Sequence, residues 1–335
     1  MRKMSNVKGW RVALIAGCIA ASMPGPVLSQ EVKMNLADAY APTEFMNVNM
    51  LKWADEIRAA TNGSVQITMH FSGSLYKNPD IKRAVQTGQV ELGTQLMQNL
   101  GPEKRVFEVD GLPFLVRSYD EGMKLWEASR SHIDGYMQKQ GLRLLYAVPW
   151  PSQGFFFKKE VNSLADVAGL RQRAYNEMTS RLARLMNTVP TTVQITELPQ
   201  AMTTGTVQMF NTSPTTGVVF KVWEYTSHFY DTDAWLPKQM VFINETAFKK
   251  LSAGAQKAML DASTIAEKRG WDLSRENVDT ARKKLAEMGI KIVKPSSAFQ
   301  AELNQIGETM RAEWLQKADD ESKAAISQFL KAVGR

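Results

Sequence analysis

The chain has 335 residues, 44% of them hydrophobic and 22% charged, an ordinary soluble composition at a length that favours two domains or lobes over one. Its formal charge of +7 comes from 41 Lys and Arg against 34 Asp and Glu, but Arg2, Lys3, Lys8 and Arg11 precede residue 30; removing those four leaves 37 against 34. That small surplus, without a basic block interleaved with aromatics, argues against nucleic-acid binding, and three histidines (His70, His132, His228) with one cysteine (Cys18) argue against a His/Cys metal site or a Cys-His nucleophile.

Residues 1–11 carry four positive charges and no acid, Val12 to Ala21 runs apolar, and Pro24, Gly25 and Pro26 break the run. This is the pattern of an export signal. The apolar stretch of about ten residues is too short for the roughly 20 that cross a bilayer. Val27-Leu28-Ser29 offers a cleavage site, which makes 1–29 a signal peptide and the periplasm the expected compartment. Ile15-Ala16-Gly17-Cys18 offers a competing lipobox, with the chain lipid-anchored at Cys18. After Cys18 the sequence has no cysteine, so the mature protein is expected to rest on its core without a disulfide.

Val32 to Ala39 alternates apolar and polar residues and reads as a strand. Thr43-Glu44 then opens a helical segment repeating at Phe45, Val48, Leu51, Trp53 and Ile57. Asn62-Gly63 ends it, Val65-Ile67-Met69 alternates again, and Pro79 begins a second helix through Ile81, Val85 and Gly88. Two β-α units in succession predict an α/β protein with parallel or mixed sheets. Further strands are expected in Val90–Met97, Arg143–Val148, Gly154–Lys158, Gly169–Ala174, Val207–Thr212, Gln239–Ile243 and Ile290–Val293. Leu251 to Met288 reads as one helix, capped by Ser252, stopped by Gly289 and roughly 55 Å long, more than a lobe of this size is wide. Its apolar spacing drifts from strict heptads, and Trp271 beside Gly270 points to local packing and bending rather than to a coiled coil. There is no fixed-period repeat and no long Gly/Ser linker, so two lobes would have to share crossing segments.

The residues of a serine hydrolase, a Walker loop or a Gly-x-Gly-x-x-Gly turn are missing. The most informative stretch is Gly169-Leu170-Arg171-Gln172-Arg173-Ala174-Tyr175-Asn176, a short strand with two arginines two apart. A guanidinium fork binds a carboxylate in bidentate fashion and keeps its charge when buried, so one such arginine can serve as an organic-acid receptor. Phe155-Phe156-Phe157 sends Phe155 and Phe157 to one face and Phe156 to the other, which reads as sheet core for at least two of them. With Trp150, Tyr175 and Trp235, Phe155 also suggests an aromatic wall beside a single carboxylate. His228-Phe229-Tyr230 reads as packing.

In their order and spacing, Gly88-Gln89-Val90-Glu91-Leu92-Gly93, Val109-Asp110-Gly111-Leu112-Pro113-Phe114, Ser163 to Arg173, Gly205-Thr206-Val207-Gln208-Met209-Phe210-Asn211 and the long helix resemble the substrate-binding proteins of the tripartite ATP-independent periplasmic (TRAP) transporters, the DctP family of extracytoplasmic solute receptors. The resemblance runs from the first mature strand to about Phe299. It implies a two-lobed periplasmic-binding-protein clamshell with mixed sheets and one long helix crossing both lobes. Lobe I would comprise 30–150 and 239–278, and lobe II 151–238 and 279–335.

The resemblance also implies roles. The carboxylate-pairing arginine of the Gly-x-x-x-Arg strand falls on Arg173, leaving Arg171 as a surface or supporting residue, and a polar ligand contact falls on Asn211. The metal-holding Trp-Glu of the keto-acid branch would fall on Phe210-Asn211, so no metal or other cofactor is expected. Asn176 joins Asn211 as a reader of a hydroxyl or keto oxygen. The implied activity is delivery of a small organic acid by a monomer to the small and large membrane subunits of a permease; the aromatic wall, with mainly Arg171 as a second cation, favours a monocarboxylate over a sugar acid or dicarboxylate. Sensing for a kinase or chemotaxis protein, and a periplasmic enzyme, are the other readings.

Overall fold

The computed structural model describes residues 31–335; the expected export signal, its expected cleavage site and Cys18 lie outside the described residues. The chain begins with β1 (Val32–Ala37), α1 (Phe45–Ala60), β2 (Val65–His70), α2 (Ile81–Gln86), β3 (Leu92–Leu96), α3 (Tyr119–Lys139) and β4 (Leu142–Pro149). It continues through β5 (Gly154–Phe157), β6 (Arg171–Ala174), α4 (Glu177–Leu185), β7 (Val189–Thr192), α5 (Leu198–Thr203), β8 (Phe210–Thr212), α6 (Pro214–Val219) and β9 (His228–Tyr230). The last third holds β10 (Lys238–Asn244), α7 (Glu245–Lys249), α8 (Ala253–Glu287), β11 (Lys291–Val293), α9 (Ser297–Lys317) and α10 (Asp320–Ala332).

Two sheets organise the molecule into a two-lobed α/β clamshell. The first has the order β2-β1-β3-β10-β4, with β1 parallel to β2 and β3 and β10 antiparallel to β3 and β4. The second has the order β11-β9-β5-β8, and the parallel pair β6-β7 joins it through a bridge between Gln172 and Met209. Between the sheets the chain crosses on two segments that lie side by side: Trp150 N donates to Pro237 O (2.8 Å), Gln153 N to Trp235 O (3.0 Å) and Ala234 N to Gln153 O (2.9 Å). Such a paired ribbon lets one lobe turn against the other without breaking either sheet.

The phenylalanine run behaves as its alternation requires. Phe155 and Phe157 enter one core cluster and Phe156 another, and all three are buried. Helix α8 is continuous from Ala253 to Glu287, with Ser252 Oγ accepting from Ala255 N (3.2 Å) and Gly289 in the left-handed region beyond its end. It packs on α1 and β4, then on α6 and β11, and so spans both lobes. Gly270 packs tightly on β4: a Cβ there would stand 2.3 Å from Val148 Cγ2. The drift from heptads is therefore packing against the chain's own elements.

The first helix departs from the expected face. Val48 and Leu51 are 53% and 41% exposed, while Met46, Met50, Trp53 and Ile57 are buried together with Asn47 and Asn49. The asparagines turn the helix: Asn47 Nδ2 donates to Asp38 Oδ1 (2.9 Å), and Asn49 donates to Ala266 O (2.9 Å) and accepts from Arg269 Nε (2.6 Å). The expected strand over 207–212 is regular only from Phe210, because Gln208 and Met209 donate to Arg171 O instead of pairing in the sheet.

Candidate functional site

The strand ends converge on a small cavity, about 40 Å³, between the sheets. Tyr40 follows β1, Leu96 ends β3, Arg173 and Tyr175 close β6, Thr212 and Ser213 end β8, and Trp150 and Gln153 lie on the crossing ribbon. Sites beyond the strand ends of α/β sheets recur because loops there can present side chains without disturbing the hydrogen-bonded ladder.

Arg173 is 4% exposed. Its backbone N donates to Met209 O (3.0 Å), its Nε donates to Val193 O (2.9 Å), and its guanidinium carbon lies 4.8 Å from the centre of the Tyr175 ring. Among the described residues it has no carboxylate partner. Burial pulls its pKa below the ordinary arginine value, yet an arginine so placed stays charged and lacks a counterion. Arg171 is exposed, and its guanidinium is anchored on Gly205 O.

The Trp150 ring packs against Tyr40 (centroids 4.9 Å apart) and edge-on against Phe45 (5.8 Å), and its indole N–H has no partner. Tyr175 is pushed up to about 12 by burial, and its hydroxyl faces Asn211, Trp235 and Gln98. The polar atoms of those three side chains are buried and make no hydrogen bond of normal geometry. An orphan left dry costs about 1–3 kcal/mol, so these atoms leave donors and acceptors open to water or a bound molecule.

Thus Arg173, Trp150 and Tyr175 line the cavity, with Asn211 and Trp235 grouped around the Tyr175 hydroxyl. Phe155 is core, 6.1 Å from Phe157, and does not line the cavity. Asn176 caps α4, accepting from Thr179 N (2.9 Å), and donates to Asn99 Oδ1 (3.2 Å). Tyr40, Gln153, Thr212, Ser213 and Thr216 were not foreseen. Their signal was positional, since Tyr40 follows a strand and Ser213-Pro214 is an N-cap followed by proline.

Residues 36–318 match the family model for bacterial extracellular solute-binding proteins, family 7, DctP. A crystal structure of DctP7, a Bordetella pertussis extracytoplasmic solute receptor binding pyroglutamic acid, is 38% identical, covers 89% of this chain and 99% of its own, and superposes with a TM-score of 0.88. A marine metagenome TRAP solute-binding protein specific for pyroglutamate is 37% identical, with coverages of 90% and 99% and a TM-score of 0.88. The C4-dicarboxylate-binding periplasmic protein DctP of Rhodobacter capsulatus is 21% identical over 260 residues, 75% of this chain and 78% of its own length. With its two sheets, crossing helix and inter-sheet cavity, the chain belongs to the DctP family of TRAP solute receptors.

Proposed function

We propose that the protein is a monomeric periplasmic receptor that closes on a small monocarboxylate, pyroglutamate or a close cyclic relative, and hands it to a tripartite permease. The observation that carries the ligand class is Arg173, an enclosed cation with no acidic partner among the described residues and its Nε alone bonded, to Val193 O. A monocarboxylate supplies the missing counterion. Trp150 and Tyr40 cover an apolar ring, and the orphaned atoms of Trp150, Asn211, Trp235 and Gln98 offer partners to its amide or carbonyl. The 38% identity to a pyroglutamate-binding receptor supports the same class.

We take lobe I as 30–150 with 239–278 and lobe II as 151–238 with 279–335, a partition supported by the first sheet using β1–β4 and β10. The last helix sits across it, because α10 packs on α3.

A thermal-shift panel on the protein lacking 1–29 tests the ligand class, since a ligand at 100 times its dissociation constant stabilises by about 2.7 kcal/mol. Stabilisation by pyroglutamate is the expected result. A shift with succinate, malate or hexuronates and none with pyroglutamate or other monocarboxylates would overturn the ligand class while leaving the family intact.

A further inference from the structure

Glu44 occupies the N-cap position of α1, yet its side chain caps nothing. It is fully buried, neither carboxyl oxygen has a hydrogen-bond partner of normal geometry, and the polar side chain it faces is Thr216, which lines the ligand cavity. A bare carboxylate is costly in such a place and a neutral acid is not. Burial, with the nearby Asp38 adding to it, pushes Glu44 up to about 8.

The Thr216 hydroxyl has one proton to donate and two lone pairs. One lone pair is already used, accepting from Ser213 Oγ (3.1 Å). If Glu44 O–H fills the other, the Thr216 proton is left free to point into the cavity. An ionised Glu44 would take that proton instead and turn a lone pair towards the ligand.

We propose that Glu44 is a specificity-determining residue of the cleft: as a neutral acid it makes Thr216 an obligate donor, which reads an uncharged acceptor oxygen on the bound acid. The inference rests on the monocarboxylate reading above and extends it. Other charged groups surround Glu44 without pairing with it. Asp38 is held by Asn47, Thr94 and Tyr40 N; Tyr40, Tyr175 and Arg173 lie on the cavity side; Lys283, Lys284 and Glu287 of α8 line an outer cavity that Glu44 also borders, and none of the three forms an ion pair with it.

Glu44 precedes α1 beside the first sheet and Thr216 lies on α6 after the second, so opening the cleft separates them and lets water reach the acid. The closed state therefore holds a raised pKa and the open state an ordinary one. Affinity is then greatest near pH 4.5 and is lost as the pH rises through about 8.

The test is calorimetry from pH 6 to 9 with pyroglutamate and with cyclopentanecarboxylate, a similar ring lacking the carbonyl; both carboxylates stay ionised throughout. The expected result is wild-type pyroglutamate affinity at least tenfold weaker at pH 8.5 than at pH 6. Glu44→Gln, whose amide still donates to Thr216 but cannot ionise, should vary less than threefold. Thr216→Val should bring the two ligands within threefold of each other. Wild-type binding of pyroglutamate that is flat with pH, or Glu44→Gln retaining the wild-type profile, would overturn the role of Glu44 and leave the ligand class standing. If the variants fail to fold, the wild-type profile alone decides. Wild-type protein that binds neither acid would bring down the ligand reading first and this inference with it.

Discussion

Two arginines stand two residues apart on β6, and their surroundings separate them. Arg171 lies over Gly205 O at the surface, while Arg173 is enclosed with its ring partner Tyr175 and bonded to Val193 O. Removing one partner of a desolvated charge pair costs about 2–5 kcal/mol, so Arg173→Ala should weaken pyroglutamate binding by roughly 30-fold to several thousand-fold. Arg173→Lys should recover little, because an ammonium lacks the planar fork. Calorimetry checks both, and an Arg171→Ala variant that loses binding while Arg173→Ala keeps it would reverse the assignment. Trp150→Phe retains an aromatic ring and deletes the unpartnered indole N–H. Losing one neutral hydrogen bond, about 0.5–1.5 kcal/mol, corresponds to about a two- to twelvefold weaker ligand, measurable in the same titrations.

At the scale of elements, the contact between α8 and β4 is set by a missing side chain. Gly270→Ala would place a methyl group 2.3 Å from Val148 Cγ2 and 2.9 Å from Asn49 Nδ2. Overpacking of about 1–3 kcal/mol outweighs a helix-propensity gain of about 1 kcal/mol. The variant should lower the urea midpoint, and a double-mutant cycle with Val148→Ala should show a favourable coupling between the two sites. The start of β10 carries a second device. Lys238 and Asp110 are both buried, with Nζ 3.6 Å from Oδ2, and the same oxygen accepts from Lys238 N (2.7 Å). Lys238→Met alone would strand a buried carboxylate at a cost of about 3–5 kcal/mol. Asp110→Asn with Lys238→Met keeps the acceptor, removes both charges and should recover most of the loss in the same unfolding experiment.

At the scale of the whole molecule, few segments cross between the sheets, an arrangement that allows the lobes to hinge. The ribbon formed by 149–153 and 234–238, together with α8, carries the link, while the bond between Asn176 and Asn99 and the rings of Tyr40 and Tyr175 meet near the cavity. Ligand that engages Arg173 on one side and Tyr40 and Trp150 on the other bridges both lobes, which is how binding can drive closure. Small-angle scattering of the protein lacking 1–29 should show a smaller radius of gyration at saturating pyroglutamate. An unchanged radius at saturation would count against closure.

Periodicity and helix-ending glycines sufficed for the α/β class, for most of the first sheet and for a helix longer than a lobe, because each follows from local spacing along the chain. The arginine strand was legible for the same reason: two guanidinium groups on a short strand after Gly169 are unusual enough to notice. Local spacing could not say which way α1 faces. Val48 and Leu51 fit an apolar stripe, and Asn47 and Asn49 became the inward residues through bonds to Asp38 and Ala266, the latter 217 positions away. The same holds for the site. Tyr40, Thr216 and Arg173 are scattered over more than 170 positions and meet because β1, β6 and β8 end at one cleft. Asn176 sits three residues beyond Arg173 and is used for capping, and Phe155 is used for core. Composition and pattern determine which elements form, whereas the side chains that share a cavity are decided by strand order and by buried polar bonds between distant segments, since only in the packed chain does each donor and acceptor have to find a partner.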